Sequence, residues 1–190
     1  MKFPHWQYYK SILGDIEVLS RYIELSQDNY RTYGIELTRI FLSVGSEIDV
    51  IAKLLCKEVN SEADPDTIDK YREILKKRFP RLPTVEISIP RYLISLKPWS
   101  EWLNEKNPEW WSCYNKVKHK RDEYFREANL ENVLLATAGL CVFISYLYHD
   151  SISLLSGIIP PLIFLDKQYQ TKDPSILTKR SCKLPDFNHK

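Results

Sequence analysis

Apolar residues recur at helical spacing along most of this chain. Between residues 33 and 57, Leu37, Ile40, Phe41, Val44, Ile48, Ile51 and Leu55 fall on one stripe. That pattern predicts an amphipathic helix with one face against a core. Residues 8–26 repeat it through Ile12, Ile16, Leu19, Ile23 and Ser26. After the turn-forming run NSEADPD, Asp64 ahead of Pro65 marks a helix start. Ile68, Tyr71, Leu75 and Phe79 carry that helix to about residue 79, and Lys76, Lys77 and Arg78 suit its negative C-terminal end.

Pro80 and Pro83 stop the helix, and the period then changes. Val85, Ile87 and Ile89 alternate with Glu86 and Ser88, and a second β-rich run follows over residues 92–96. Residues 84–97 therefore read as a two-stranded insert or an extended excursion. PWSEW, residues 98–102, opens a short helix, and Asn107-Pro108 opens another that reaches about residue 126. A very apolar helix follows over residues 129–148. The sum is an all-α, antiparallel bundle of four or five helices spanning residues 1–165, with the small β-like excursion inside it. Residues 166–190, polar and carrying Pro174 and Pro185, read as a C-terminal arm.

The apolar helix raises a membrane question. Residues 133–148 carry no charge, but a spanning helix needs about 20 apolar residues. This run is shorter, includes Thr137, Gly139 and Ser145, and meets His149 and Asp150 at once. A buried central helix is the expectation, with no membrane partner. The next apolar stretch, residues 152–165, is broken by Pro160 and Pro161. The opening MKFPHWQYYK lacks the apolar centre of a signal peptide. Cys56, Cys113, Cys141 and Cys182 lie far apart without a C-x-x-C pair, as expected of reduced thiols in a cytoplasmic protein with neither disulfides nor a metal site. Only five glycines occur, and no Gly-x-Gly-x-x-Gly or Walker-type string, so no phosphate-binding loop and no cofactor are expected. A net charge of +2 gives no global signal for nucleic acid, so any such signal must be local.

One local signal stands out. On a helix drawn at 100° per residue from Asn115, the residues Asn115, Lys118, His119 and Asp122 cluster within roughly −60° to +40°, at the border of the core-facing arc. Trp110, Tyr114, Val117, Tyr124 and Phe125 face inward. Asn115 and His119 thus point together, and Asp122, one turn on, is placed to orient the imidazole. A border histidine on a charged helix is commonly just solvated. The sharper reading is general acid–base chemistry, for which histidine titrates in the right range. Lys116, Lys118, Lys120, Arg121 and Arg126 stand against Asp122 and Glu123, a cationic balance suited to phosphates. On the 33–57 helix, Glu36 and Glu47 share a direction. Glu47 borders the core and calls for a partner such as Arg121 or Arg39, either as a structural ion pair or in support of the site helix.

Asn115-x-x-x-His119 directly ahead of a very apolar helix resembles the HEPN superfamily (higher eukaryotes and prokaryotes nucleotide-binding domain). The stretch YNKVKHKRDEYFREANLENVLLATAGLCVFISYLY is also similar to uncharacterised bacterial proteins of like design. In layout the likeness covers residues 33–148, and in sequence detail residues 114–148. The resemblance implies a helical bundle and a metal-independent endoribonuclease or RNA-binding effector of toxin–antitoxin or phage-defence type. It also implies a homodimer in which two Arg-Asn-x-x-x-His motifs meet. His119 takes the acid–base role and Asn115 accompanies it. Tyr114 stands at the family's Arg position; Lys118 is the nearest replacement, with Arg121 about 10.5 Å along the axis. The alternative expectation is a catalytically silent bundle that binds a cognate protein partner or a nucleotide. Trp110 and Trp111 are candidates for a dimer interface, where aromatic residues are enriched.

Overall fold

The computed structural model of the chain describes residues 3–148 and the backbone of residues 165–166. Its main helices are α1 (Pro4–Leu19), α2 (Ile35–Val59), α3 (Ile68–Arg78), α4 (Glu109–His119) and α6 (Leu130–Leu147). A single short turn, α5 (Arg121–Tyr124), separates the last two. The architecture is a mostly helical bundle, as the periodicity predicts. All seven residues of the α2 stripe are fully buried, and α2 packs most extensively against α6.

Helix α6 is the centre of the molecule. It is long and apolar enough to cross a membrane, with a mean hydropathy of 1.7, yet 78% of it is buried inside the protein. Small residues let it sit there. A Cβ added at Gly139 would stand 3.2 Å from Trp110 and 3.3 Å from Trp99, so the glycine admits two indoles against the helix. The Trp99 Nε1–H donates to the Gly139 carbonyl at 3.2 Å, and the Trp99 ring stacks on Phe143 with 4.4 Å between centroids. Trp110 donates to the Pro98 carbonyl at 2.8 Å. Burial of such rings contributes a large share of the core energy. Trp110 and Trp111, 2% and 6% exposed, are therefore core residues and offer no surface to a second copy.

Element ends depart from expectation in instructive ways. α1 begins at Pro4 rather than residue 8, because proline at the first helical turn forfeits no hydrogen bond. It ends at Leu19, so Ile23 and Ser26 lie beyond it. α3 starts after Thr67, whose hydroxyl accepts from the Lys70 N–H, and not at Asp64-Pro65. The insert is a hairpin of β1 (Ile87–Ile89) and β2 (Ile94–Leu96) in register Ser88↔Ser95. A third strand, β3 (Leu165–Asp166), pairs antiparallel with β1 to give the order β2-β1-β3. This strand falls across the expected domain boundary at residue 165 and was not legible in the sequence. The remainder of the expected arm, residues 167–190, and most of the apolar stretch 152–165 lie outside the described residues.

The expected helix 109–126 is interrupted. Lys120 has φ −144° and ψ 56°, outside the helical region, and the chain restarts as α5. The cause is tertiary. The Leu130 N–H donates to the Thr32 carbonyl and the Glu131 N–H to the Tyr30 carbonyl, while Tyr33 forms a backbone bridge with Asn129. These bonds fix where α6 must begin. The chain has to turn between α4 and that point.

Candidate functional site

The α4 helix sorts its side chains by direction. Tyr114 turns inward and is 3% exposed. A Cβ at Gly45 of α2 would come within 2.3 Å of the Tyr114 ring, so the glycine is the slot that receives it. Phe41 and Trp111 complete the aromatic pocket, with centroids 6.0 and 5.1 Å away. Burial, with a smaller contribution from the Asp49 carboxylate, pushes the Tyr114 hydroxyl up to about 12. It is a neutral packing group at any physiological pH.

Asn115, four residues before His119 on the same regular helix, shares its face. Asn115 is half-buried, and Lys118 and His119 are exposed. Among the described residues neither Asn115 nor His119 makes a side-chain hydrogen bond or ion pair. Both are free to meet a ligand. Lys118 lies with its ammonium 5.7 Å from the Tyr114 ring centroid, so part of its charge is directed along the helix surface. Lys116, Lys118 and His119 fill the last turn, where the helix dipole favours cations.

Beyond His119 the helical projection no longer applies. Arg121 and Asp122 belong to α5 and are exposed. Their directions and distances from Tyr114 and His119 are not those of a continuous helix. Asp122 is not bonded to the imidazole.

Glu47 stands apart from this group. It accepts from His5 Nδ1 at 2.6 Å, and the two side chains are 13% and 22% exposed. It is two positions past Gly45, hence about 200° around α2 from the Tyr114 slot. Its partner is neither Arg121 nor Arg39. Arg39 instead pairs with Asp15 at 3.0 Å and with Glu36 at 2.8 Å. Glu47 and His5 form the joint between α1 and α2. His5 was missed because the apolar period becomes clear only at Ile12, after the helix has already begun.

The carboxylate under α4 is Asp49. It accepts the Tyr71 hydroxyl at 2.7 Å and the Lys53 ammonium at 2.6 Å. The spacing of four residues from Gly45 is the signal that could have found it.

On the opposite side of α4, a cleft of about 290 Å³ is lined by residues including Arg31, Glu101, Glu109, Cys113, Glu127 and Glu131. Cys113 lies 3.5 Å from a Glu127 carboxylate oxygen, and burial with that neighbour pushes its thiol up to about 11. Neither Asn115, Lys118 nor His119 borders this cleft.

Comparison of the chain with protein-family models, with curated proteins and with solved structures finds no match.

Proposed function

We propose that the protein is an HEPN-like, RNA-directed effector acting in the cytoplasm, and that the last turn of α4 meets the RNA backbone. The observation that carries this reading is the emergence of Asn115, Lys118 and His119 on one accessible face at the cationic end of α4. The resemblance supplies the chemistry. His119 takes the proton of a ribose 2′-OH, or returns one to the leaving 5′-oxygen, as the 2′-oxygen attacks phosphorus. Asn115 donates its amide to the same group, and Lys118 balances the phosphate charge. Arg121 and the other cations of the α5 turn draw RNA in from a distance. No metal or cofactor takes part in these steps.

Tyr114 bears on how far the chemistry goes. The position that carries a cation in active relatives of this motif is here a neutral ring inserted beside Gly45. One copy of the face therefore offers Lys118 where the family has an arginine, and lysine does not reproduce bidentate phosphate recognition. A homodimer that brings two α4 ends together supplies the second set. The same observation favours a second reading, a catalytically silent bundle that binds a cognate protein partner.

The test is binding and cleavage of single-stranded RNA at low salt, with His119→Ala and Lys118→Ala beside the wild type. The RNA reading expects binding by the wild type and any cleavage to vanish in His119→Ala, with the melting temperature unchanged. Lys118→Ala should weaken binding and reduce its salt slope by about one. RNA neither bound nor cut overturns the reading and leaves the interaction bundle.

A further inference from the structure

Beside the α4 face lies a second feature that the sequence motif does not include. Tyr33, in the loop ahead of α2, is 41% exposed. Its backbone is held in place on one side and its ring makes two contacts on the other. Residues 30–33 are tied to the start of α6 by the Tyr33–Asn129 bridge and by the bonds from Leu130 and Glu131 to Thr32 and Tyr30. The ring stands edge-on to Phe125, 5.6 Å between centroids, and the guanidinium of Arg126 lies 5.7 Å from its centroid. Phe125 adjoins Tyr124, over which Lys116 places its ammonium at 5.6 Å. Lys116 is on α4, about 60° around the helix from His119. Aromatic rings and cations thus alternate from Tyr33 through the α5 turn to the Asn115–His119 face.

A merely solvated surface does not require this composition. An exposed tyrosine on a backbone bonded to the start of α6, half-buried aromatic neighbours, and cations that form no ion pair among the described residues match what single-stranded nucleic acid needs. Bases stack on the rings and on the arginine plane, and the cations track the phosphates. A duplex offers no free base faces. A protein partner would be expected to bury a larger apolar area with fewer cations.

We infer that Tyr33, Phe125 and Arg126 form a base-stacking platform that continues the α4 face and selects single-stranded over double-stranded RNA. This rests on the RNA reading above, and deepens it by naming the substrate class and the residues that hold its bases.

The experiment is fluorescence anisotropy of the full chain with a labelled single-stranded oligouridylate, an abasic oligonucleotide of equal charge, and an RNA duplex. Wild-type protein should bind the oligouridylate about ten-fold more tightly than the abasic strand, and more tightly than the duplex. Tyr33→Ala should lose a similar factor for the oligouridylate and none for the abasic strand, while Tyr33→Trp retains binding. Equal affinity for the oligouridylate and abasic strands overturns the platform without any variant, and leaves the α4 phosphate site standing if Lys118→Ala still weakens binding. No binding to any of the three overturns both. A melting temperature for each variant separates lost stacking from lost folding.

Discussion

At the scale of single residues, the decisive fact is what Tyr114 does. Its ring occupies the space of an absent Cβ at Gly45, within a helix where glycine costs about 1 kcal/mol relative to alanine. Packing reverses that preference. Gly45→Ala should lower stability by about 1–3 kcal/mol, because a buried ring must move out of its rotamer; calorimetry or denaturant unfolding measures it. An unchanged or raised melting temperature would contradict the packing. Buried acids give a pH prediction. Tyr114 is raised to about 12 from an ordinary 10.0, and Cys56 and Cys113 to about 11 from 9.0, in each case chiefly by burial. A raised folded value means that folding favours the neutral form. The stability these groups contribute is complete below about pH 9 and is lost as pH rises from there through 11 and 12. Melting temperature should accordingly begin to fall above pH 9, and both thiols should resist alkylation at neutral pH.

At the scale of elements, the most informative site is the join between α4 and α6. Asn129 caps α6 by accepting the Asn132 N–H at 3.0 Å, and Asn132 donates back to the Glu127 carbonyl at 2.8 Å. Asn129→Ala should cost about 1 kcal/mol. It should also raise amide exchange over residues 130–133 and loosen the Tyr33 bridge; hydrogen exchange checks both, and unchanged protection there would contradict the cap. The N-x-x-N spacing makes this cap visible in sequence, as the apolar stripe makes α2 visible and the uncharged apolar run makes α6 visible. The break at Lys120 was not legible, since His119-Lys120-Arg121 contains neither glycine nor proline and the turn is imposed by bonds to residues 30–33. Likewise β3 pairs with β1 from across the chain, and the His5–Glu47 joint links residues 42 apart. Local periodicity carries no information about any of these. Of the candidate site, the common direction of Asn115, Lys118 and His119 was readable because α4 is regular that far; Asp122 and Arg121 were misprojected because it is not.

At the scale of the whole molecule, the bundle buries its most apolar helix and gathers exposed cations at one end of α4. The tryptophans that suggested an interface are consumed by the core, so the homodimer we propose would have to use another surface, such as the α4 face itself. Light scattering should then give about twice the monomer mass, and mutation of Trp111 should act on folding and not on association. In the function we propose, RNA lies across the end of α4. Ultraviolet cross-linking of single-stranded RNA to the protein, followed by mass mapping of the linked peptides, tests it most directly. Links are expected within residues 110–127 and at Tyr33. Links confined to α1 and α3, or none under conditions that saturate binding, would contradict it.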